Sequence, residues 1–167
     1  KGRRGPTGGV RRSCEFTERF AGRSSVVPVT SRDDPAADRS SSRHVLGVAV
    51  EPGRLIAGVA DEAGTIVLRD RITMPSRDVW RALERMVSRV LAASPVPAAS
   101  IEAVGVSCVG PVDVHAGAVS PPHVPSWSMF PLRDRLEVLT GRPVVVDHAG
   151  GACAEAERWI GEARGGP

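Results

Sequence analysis

The sequence predicts an α/β fold in which helices cover both faces of a mixed β-sheet. Two observations support this class. Three β-rich runs beginning near residue 44 are separated by short turns, and beyond them amphipathic helical patterns alternate with buried strand patterns. The chain has 167 residues, of which 41% are apolar, so it is long enough to bury one core of ordinary size.

Three strands are predicted at the start of the folded region. Segments 44–50 (HVLGVAV), 55–61 (LIAGVAD) and 65–73 (TIVLRDRIT) are rich in the residue types that favour strands. The intervening turns, EPGR and EAG, contain the Gly and Pro residues that typically end strands. Because both turns are short, we expect an antiparallel three-stranded meander.

A long amphipathic helix is predicted next, over residues 77–94. Ser76 is placed to act as its N-cap. Apolar residues recur at helical spacing along one face, namely Val79, Leu83, Met86, Val90 and Leu91. The pattern predicts that this face packs against the sheet.

The rest of the chain alternates between strands and helices. Pro131 is expected at the first position of a short helix and Gly141 at its end. The predicted elements are a buried strand over 101–108, a hairpin over 110–120 turning at 115–117, a helix over 131–141, a buried strand over 143–147 and a helix over 149–163. This order of elements is that of the ribonuclease-H-like lobe of actin-like ATPases and sugar kinases.

Residues 1–43 have a different composition from the rest. They carry ten basic and five acidic side chains and lack regular periodicity, except for CEFTERFAG, which could form two helical turns. We interpret this segment as a mostly disordered leader or linker, and residues 44–167 as the folded lobe. Contact of the basic leader with nucleic acid is the alternative.

Cysteine usage and hydropathy indicate a cytoplasmic protein. Cys14, Cys108 and Cys153 lie far apart and form no C-x-x-C pair, which argues against a disulfide framework or a local zinc site. We interpret Cys108 and Cys153 as small buried apolar residues. No run of apolar residues approaches the length of a membrane span, so no membrane contact is expected.

Three stretches resemble one family of proteins. They are VLGVAVEPGRLIAGVADEAG, VGVSCVGPVDVHAGAVSPPHVPSWSMFPLRDRLE and PVVVDHAGGACAEAERWIGEARGG. In order and spacing they are similar to the N-terminal lobe of the ROK family, which contains bacterial sugar kinases, chiefly glucokinase-like, and sugar-responsive transcriptional repressors. The resemblance spans residues 44–166, and it implies that the family's second lobe, with its zinc element, is absent from this chain.

The residues that would hold ATP phosphates in the family's kinases differ here. The kinases have D-x-G-G-T-K at the first hairpin, where glycine N–H groups surround phosphate. The aligned residues are Ala49, Val50, Glu51, Pro52, Gly53 and Arg54. Because proline has no N–H and the Glu51 carboxylate repels phosphate, we expect this turn to hold no nucleotide cofactor.

The catalytic base of the kinases is also replaced. Their motif E-N-D-x-N aligns with residues 147–151, which places Ala149 where the Asp would take a proton from the sugar hydroxyl. Asp147 lies two residues earlier, about 6.5 Å along an extended chain, which is beyond the reach of a general base. We therefore expect no catalytic residue, no metal and no phosphorylation.

The resemblance still implies residues that contact sugar. Gly110, in the G-P-V-D turn, would approach the sugar through its backbone, and His123 stands where the family has a sugar-binding Asn. His148 occupies a further polar contact position. The alternative for both histidines is that they are exposed loop residues that bind no ligand. Trp127 would either stack on a sugar or fix its loop to the lobe, and we favour the second.

Three functions are compatible with this pattern. The first is a catalytically inactive sugar-sensing lobe of a ROK-type regulator, which would reach DNA only through a winged-helix domain not present in this chain. The second is a fragment of a glucokinase-like sugar kinase that phosphorylates a hexose with ATP. The third is a lobe kept for protein contacts, or the product of a decayed gene, whose exposed apolar face would favour homo-oligomers.

Overall fold

The computed structural model describes residues 27–28 and 43–161. The elements follow the predicted order, with one additional two-residue strand at the start. They are β1 (Val27–Pro28), β2 (His44–Glu51), β3 (Arg54–Asp61), β4 (Ile66–Thr73), α1 (Val79–Ala93), β5 (Ile101–Cys108), β6 (Val112–Asp113), β7 (Ala118–Val119), α2 (Leu132–Thr140), β8 (Val144–His148) and α3 (Ala149–Ile160).

The main sheet is mixed, as the sequence predicts. Its strand order is β1-β4-β3-β2-β5-β8, and β6 and β7 form a separate hairpin. β2, β3 and β4 pair antiparallel as a meander, whereas β5 pairs parallel with both β2 and β8. Parallel neighbours require a crossover connection, which α1 and α2 supply.

The core lies between one face of the sheet and the helices α1 and α2. Alternate residues of each strand point to this face, as in β2, where Leu46, Val48 and Val50 are buried. α1 buries its predicted stripe except for Leu91, which is partly buried. α2 packs Leu132 and Leu136 against the same core.

α3 packs on the opposite face of the sheet, against β5 and β8, so helices occupy both faces. No residue of α3 is fully buried. The part of this face formed by β2 and β3 carries small side chains and lies beside α3 without a helix of the described chain above it. We call it the open face.

Two predicted helix ends differ from the structure. Ser76 is not an N-cap, because α1 begins at Val79 and the cap position belongs to Asp78, a left-handed residue with φ of 52° whose side chain makes no capping hydrogen bond. Pro131 is the N-cap of α2 rather than its first residue. Gly141 ends α2 as predicted, with φ of 65°, a conformation that favours glycine.

The leader contributes β1 to the edge of the sheet. Val27 pairs with Arg69 and Pro28 with Leu68. An edge strand is the position in a sheet where proline is tolerated, because one side of the strand donates no ladder hydrogen bonds. The helical turns predicted within CEFTERFAG, and Cys14, lie outside the described residues.

None of the helices in the described part of the chain is both long enough and apolar enough to cross a membrane.

Candidate functional site

The candidate site lies at the carboxyl ends of the three parallel strands. Val50 of β2 is in register with Cys108 of β5, which is in register with His148 of β8. The loops that leave these three strands therefore begin side by side at one edge of the sheet. In open α/β sheets, this edge is where ligands bind.

The first of these loops is the turn from β2 to β3. Pro52 and Gly53 are its central residues, and Glu51 pairs with Arg54 across it. Gly53 has φ of 80°, which places Pro52 and Gly53 at the positions they favour in a type II turn. Its carbonyl accepts a hydrogen bond of 2.9 Å from the N–H of Met74.

The chemistry of this turn does not suit a phosphate. Pro52 offers no N–H group to an anion. The Glu51 carboxylate accepts a hydrogen bond from Arg54 Nε at 2.5 Å, and both side chains are partly buried. Arg54 therefore compensates the negative charge of Glu51 within the turn.

Gly110 and His148 are in direct contact at the same edge. A methyl group at Gly110 would lie 2.8 Å from Cδ2 and 3.2 Å from Nε2 of His148. The His148 imidazole can therefore lie over the turn that follows β5 because Gly110 has no side chain. The structure brings these two predicted sugar-contact residues together.

His148 also forms the N-cap of α3. Its Nδ1 accepts a hydrogen bond of 3.2 Å from the N–H of Gly150, which satisfies one of the free donors at the start of the helix. This bond orients the ring so that Nε2 is the nitrogen nearest Gly110. Ala149 is the first residue of α3 and contributes only a methyl group.

Asp147 points to the other face of the sheet. Its Oδ1 accepts a hydrogen bond of 2.6 Å from the N–H of His148. A methyl group at Gly151 would lie 2.5 Å from Asp147 Oδ2, so the carboxylate covers the first turn of α3. Negative charge is favourable at a helix N-terminus, which explains this position.

His123 lies in a separate cavity of about 260 Å³. Its lining includes Gly53, Ser76, Val79 and Ser126, but neither Gly110 nor His148. His123 Nε2 is buried and has no hydrogen-bond partner among the described residues. Burial lowers the pKa of this imidazole, so the ring is neutral at pH 7 and can both donate and accept a hydrogen bond.

Trp127 fixes the loop between the hairpin and α2. Its side chain is buried, and its ring stacks on Phe130 with a centroid distance of 4.3 Å and an interplanar angle of 4°. The Arg135 guanidinium lies 5.0 Å from the centroid of Phe130. The structure agrees with the structural role favoured for Trp127 over sugar stacking.

The expectation for the cysteines is half correct. Cys108 is buried, and this burial raises the pKa of its thiol to about 11. Cys153 is exposed, so its assignment as a buried residue is wrong. The reason is that α3 buries none of its residues fully, although its sequence pattern is that of a packed helix. No group of three or more potential metal ligands occurs in the described part of the chain.

Arg54 was aligned with the turn, but its ion pair with Glu51 was not predicted. The sequence carried a signal for it, because Glu and Arg flank a Pro-Gly turn and such positions face each other across a hairpin. The sequence could not predict that Nε2 of His123 is buried without a partner. This burial depends on how residues 74–79 and 123–126 pack around the ring.

Comparison with known proteins agrees with this architecture. Residues 46–166 match the model of the ROK family. A glucokinase of Streptomyces coelicolor is 30% identical over 125 residues, which make up 72% of this chain and 37% of the glucokinase.

Solved structures give the same result. The ROK hexokinase of Thermus thermophilus is 30% identical with a TM-score of 0.65, over 73% of this chain and 40% of the hexokinase. A ROK family transcriptional regulator, a homologue of the E. coli MLC protein, shares the fold at 20% identity with a TM-score of 0.62, over 71% of this chain and 31% of the regulator. The chain thus spans about two fifths or less of the length of these relatives. With the family model covering most of its residues, the chain belongs to the ROK family.

Proposed function

We propose that this chain is a sugar-sensing lobe of a ROK-type transcriptional regulator, which binds a hexose and does not phosphorylate it. A lobe of this kind needs polar groups that recognise sugar hydroxyls. It needs neither a phosphate-binding turn nor a catalytic base. The residues at the carboxyl ends of β2, β5 and β8 include polar groups of this kind. They include neither a phosphate-binding turn nor a catalytic base.

The observation that carries the proposal is the turn between β2 and β3. The Glu51–Arg54 ion pair and Pro52 form this turn, and by resemblance the turn aligns with the one that binds ATP phosphates in the family's kinases. Phosphate binding there would have to displace Arg54 from Glu51 and would bring two negative groups together. The turn is therefore unsuited to ATP whatever sugar the lobe binds.

The position of the base supports the same conclusion. Ala149 has no titratable group, and the carboxylate of Asp147 lies over the first turn of α3 on the other face of the sheet. Loss of a general base lowers a rate by about 10²- to 10⁴-fold. A kinase with this arrangement would be very slow even if ATP were bound.

The sugar contacts we assign are Gly110, His123 and His148. Nε2 of His148 lies beside Gly110, and Nε2 of His123 is buried without a partner among the described residues. Both nitrogens are suited to sugar hydroxyls. In the family the sugar lies between two lobes, so this lobe supplies half of the contacts. We also propose that the regulator contacts DNA only through a winged-helix domain, and that it acts in the cytoplasm.

Calorimetry combined with a coupled assay tests the proposal. The chain is titrated with a panel of hexoses and with Mg-ATP, and glucose phosphorylation is followed by a coupled dehydrogenase. We expect heat of binding for a hexose, none for Mg-ATP, and no phosphorylation above the buffer rate. ATP binding or turnover would overturn the proposal, and so would the absence of binding to every hexose.

The second candidate is a fragment of a glucokinase-like sugar kinase. It is favoured by the 30% identity to the Streptomyces coelicolor glucokinase. If the coupled assay detects turnover, the Asp147→Asn variant decides whether Asp147 acts as the base. Turnover would establish the kinase, and its loss in that variant, with hexose binding retained, would assign the base to Asp147.

A further inference from the structure

Arg133, the second residue of α2, holds the tip of the hairpin formed by β6 and β7. Its Nη1 donates a hydrogen bond of 2.7 Å to the carbonyl of His115, and its Nη2 donates one of 2.5 Å to the carbonyl of Val114. Its backbone N–H donates to the carbonyl of Gly117 at 3.0 Å. One residue of α2 therefore makes three hydrogen bonds to the turn that joins the two strands.

The turn is shaped to receive this side chain. A methyl group at Gly117 would overlap with Cβ of Arg133 and would lie 2.7 Å from its Nε. Gly117 also has φ of 65°, a conformation that favours glycine. Nε of Arg133 is buried and has no hydrogen-bond partner among the described residues. Because a buried donor without a partner lowers stability, we expect Arg133 to matter more for the position of the hairpin than for the free energy of unfolding.

The hairpin is too short to hold its position alone. β6 and β7 have two residues each and are joined by two residue pairs. A two-stranded hairpin without further contacts is at best marginally stable in water. Phe130 supports β7, because it exchanges hydrogen bonds of 2.9 and 3.0 Å with Val119. Phe130 and Arg133 flank Leu132, which is fully buried in the core, so the start of α2 fixes the hairpin to the rest of the lobe.

The base of the hairpin is the turn that contacts His148. The carbonyl of Pro111 accepts a hydrogen bond of 2.9 Å from the N–H of Ser120, which ties the two ends of the hairpin together. Gly110 immediately precedes Pro111 and lies against the His148 imidazole. β6 also lies close to β8, the strand that carries His148. A displacement of the hairpin would therefore move Gly110 relative to the imidazole.

We propose that Arg133 is a positioning residue of the candidate site, which holds Gly110 against the His148 imidazole by fixing the hairpin to α2. Arg133 acts through the hairpin and does not itself contact the sugar. This role rests on the proposed function, because sugar binding by Gly110 and His148 is part of it. The position of the imidazole, however, can be measured without any ligand.

Arg142 provides a matched control just beyond the other end of α2. Its Nη2 donates a hydrogen bond of 3.0 Å to the carbonyl of Ala98, in the connection that precedes β5. Arg133→Met and Arg142→Met thus both remove hydrogen bonds from a partly exposed guanidinium to the backbone of a distant loop. Only Arg133 bonds to the hairpin that carries Gly110 at its base.

NMR of the His148 imidazole in the ligand-free chain tests the proposal. R133M should shift the ring signals, which His148→Gln identifies by their disappearance, whereas R142M should leave them unchanged. Gly117→Ala displaces Arg133 from the side of the hairpin and should shift them as R133M does. R133K retains the charge and one donor group in place of two, so its shift should be smaller.

Calorimetry measures the consequence for sugar. R133M and G117A should weaken hexose binding by about three- to tenfold, as expected for the loss of positioning hydrogen bonds, and R142M should bind as the wild type does. Unchanged His148 signals in folded R133M and G117A would overturn the proposal. Equal shifts in R133M and R142M, or shifted signals with unchanged affinity, would also overturn it. Shifted signals in a chain that binds no hexose would support positioning by Arg133 and overturn the proposed function alone.

Discussion

Gly110 and His148 form a contact in which the absence of a side chain on one residue determines the position of the other. A methyl group at Gly110 would lie 2.8 Å from Cδ2 of His148, whereas carbon atoms in good contact are about 3.5 to 4.0 Å apart. The imidazole is held from its other side by the hydrogen bond from Gly150 to Nδ1. Its Nε2 is thereby positioned beside the turn that follows β5.

Gly110→Ala should weaken hexose binding by about tenfold, which corresponds to about 1.4 kcal/mol. The added methyl group must displace the His148 ring by about 1 Å. Calorimetry gives the affinity, and the NMR signals of the imidazole report whether the ring moves, independently of any ligand.

Gly105→Ala is the matched control. A Cβ atom at Gly105 meets no atom within 4 Å, so this variant should bind sugar as the wild type does. Equal affinities of the two variants would contradict the assignment of Gly110 and His148. An unchanged imidazole spectrum in Gly110→Ala would contradict the predicted steric clash itself.

Periodic patterns in the sequence identified most of the fold. The strand predicted over 101–108 coincides with β5, and the stripe predicted for α1 packs into the core. These patterns are reliable because each element buries one face against its neighbours, and the spacing of apolar residues records that face. The mixed sheet then followed from the order of the elements.

Features that depend on packing beyond the local pattern were not predictable in the same way. Cys153 was expected to be buried because free cysteine behaves as a small apolar residue, but whether a helix is covered depends on what lies over it. The start of α1 shifted by two residues because Asp78 adopts a left-handed conformation that no pattern of apolar residues records. The residues of the candidate site were named by resemblance, whereas the contact between Gly110 and His148 required the register of β5 and β8.

The cysteines should differ strongly in reactivity. Burial raises the pKa of Cys108 to about 11, so at pH 8 only about one thiol in a thousand is the reactive thiolate. Cys153 is exposed on α3. Maleimide labelling followed by peptide mass spectrometry should show rapid modification of Cys153 and modification of Cys108 only in denaturant. Labelling of Cys108 at the rate of Cys153 in the native protein would contradict its burial.

His123 should make the protein less stable in mild acid. Burial lowers the pKa of its imidazole in the folded state. In the unfolded chain the pKa of the same imidazole is about 6.5. Below that pH the unfolded state binds more protons, so the free energy of unfolding falls as pH decreases through the interval between the two values. Above about pH 7 both states are neutral and the effect vanishes.

Urea unfolding between pH 5 and 8, at intervals of about half a unit, measures this dependence. His123→Gln should flatten the curve below about pH 6.5. His115→Gln is the control for the substitution itself, because His115 is exposed in the turn between β6 and β7. Identical curves for the wild type and His123→Gln would show that His123 does not contribute.

Arg89→Met should destabilise the protein strongly, because it leaves a buried carboxylate without its cation. Asp70 is fully buried on β4, and Arg89 Nε on α1 donates to its Oδ2 at 2.8 Å. Oδ1 has no hydrogen-bond partner in the described part of the chain, so Arg89 is what compensates the carboxylate. Removing one partner of a fully buried ion pair costs about 3 to 5 kcal/mol. Because the Arg89 side chain is 43% exposed, we expect a cost at or below the lower end of that range, about 2 to 3 kcal/mol.

Chemical denaturation of Arg89→Met and Arg158→Met compares a pair with a buried carboxylate with a pair that is exposed on both sides. Arg158 pairs with Glu155 on α3, where the two side chains are 73% and 67% exposed, and such pairs contribute up to about 1 kcal/mol. The double variant Asp70→Leu with Arg89→Met should regain most of the stability, because it removes the unpaired charge together with its partner. If Arg89→Met unfolds at the same denaturant concentration as Arg158→Met, Asp70 is compensated in some other way and the ion pair does not hold α1 on the sheet.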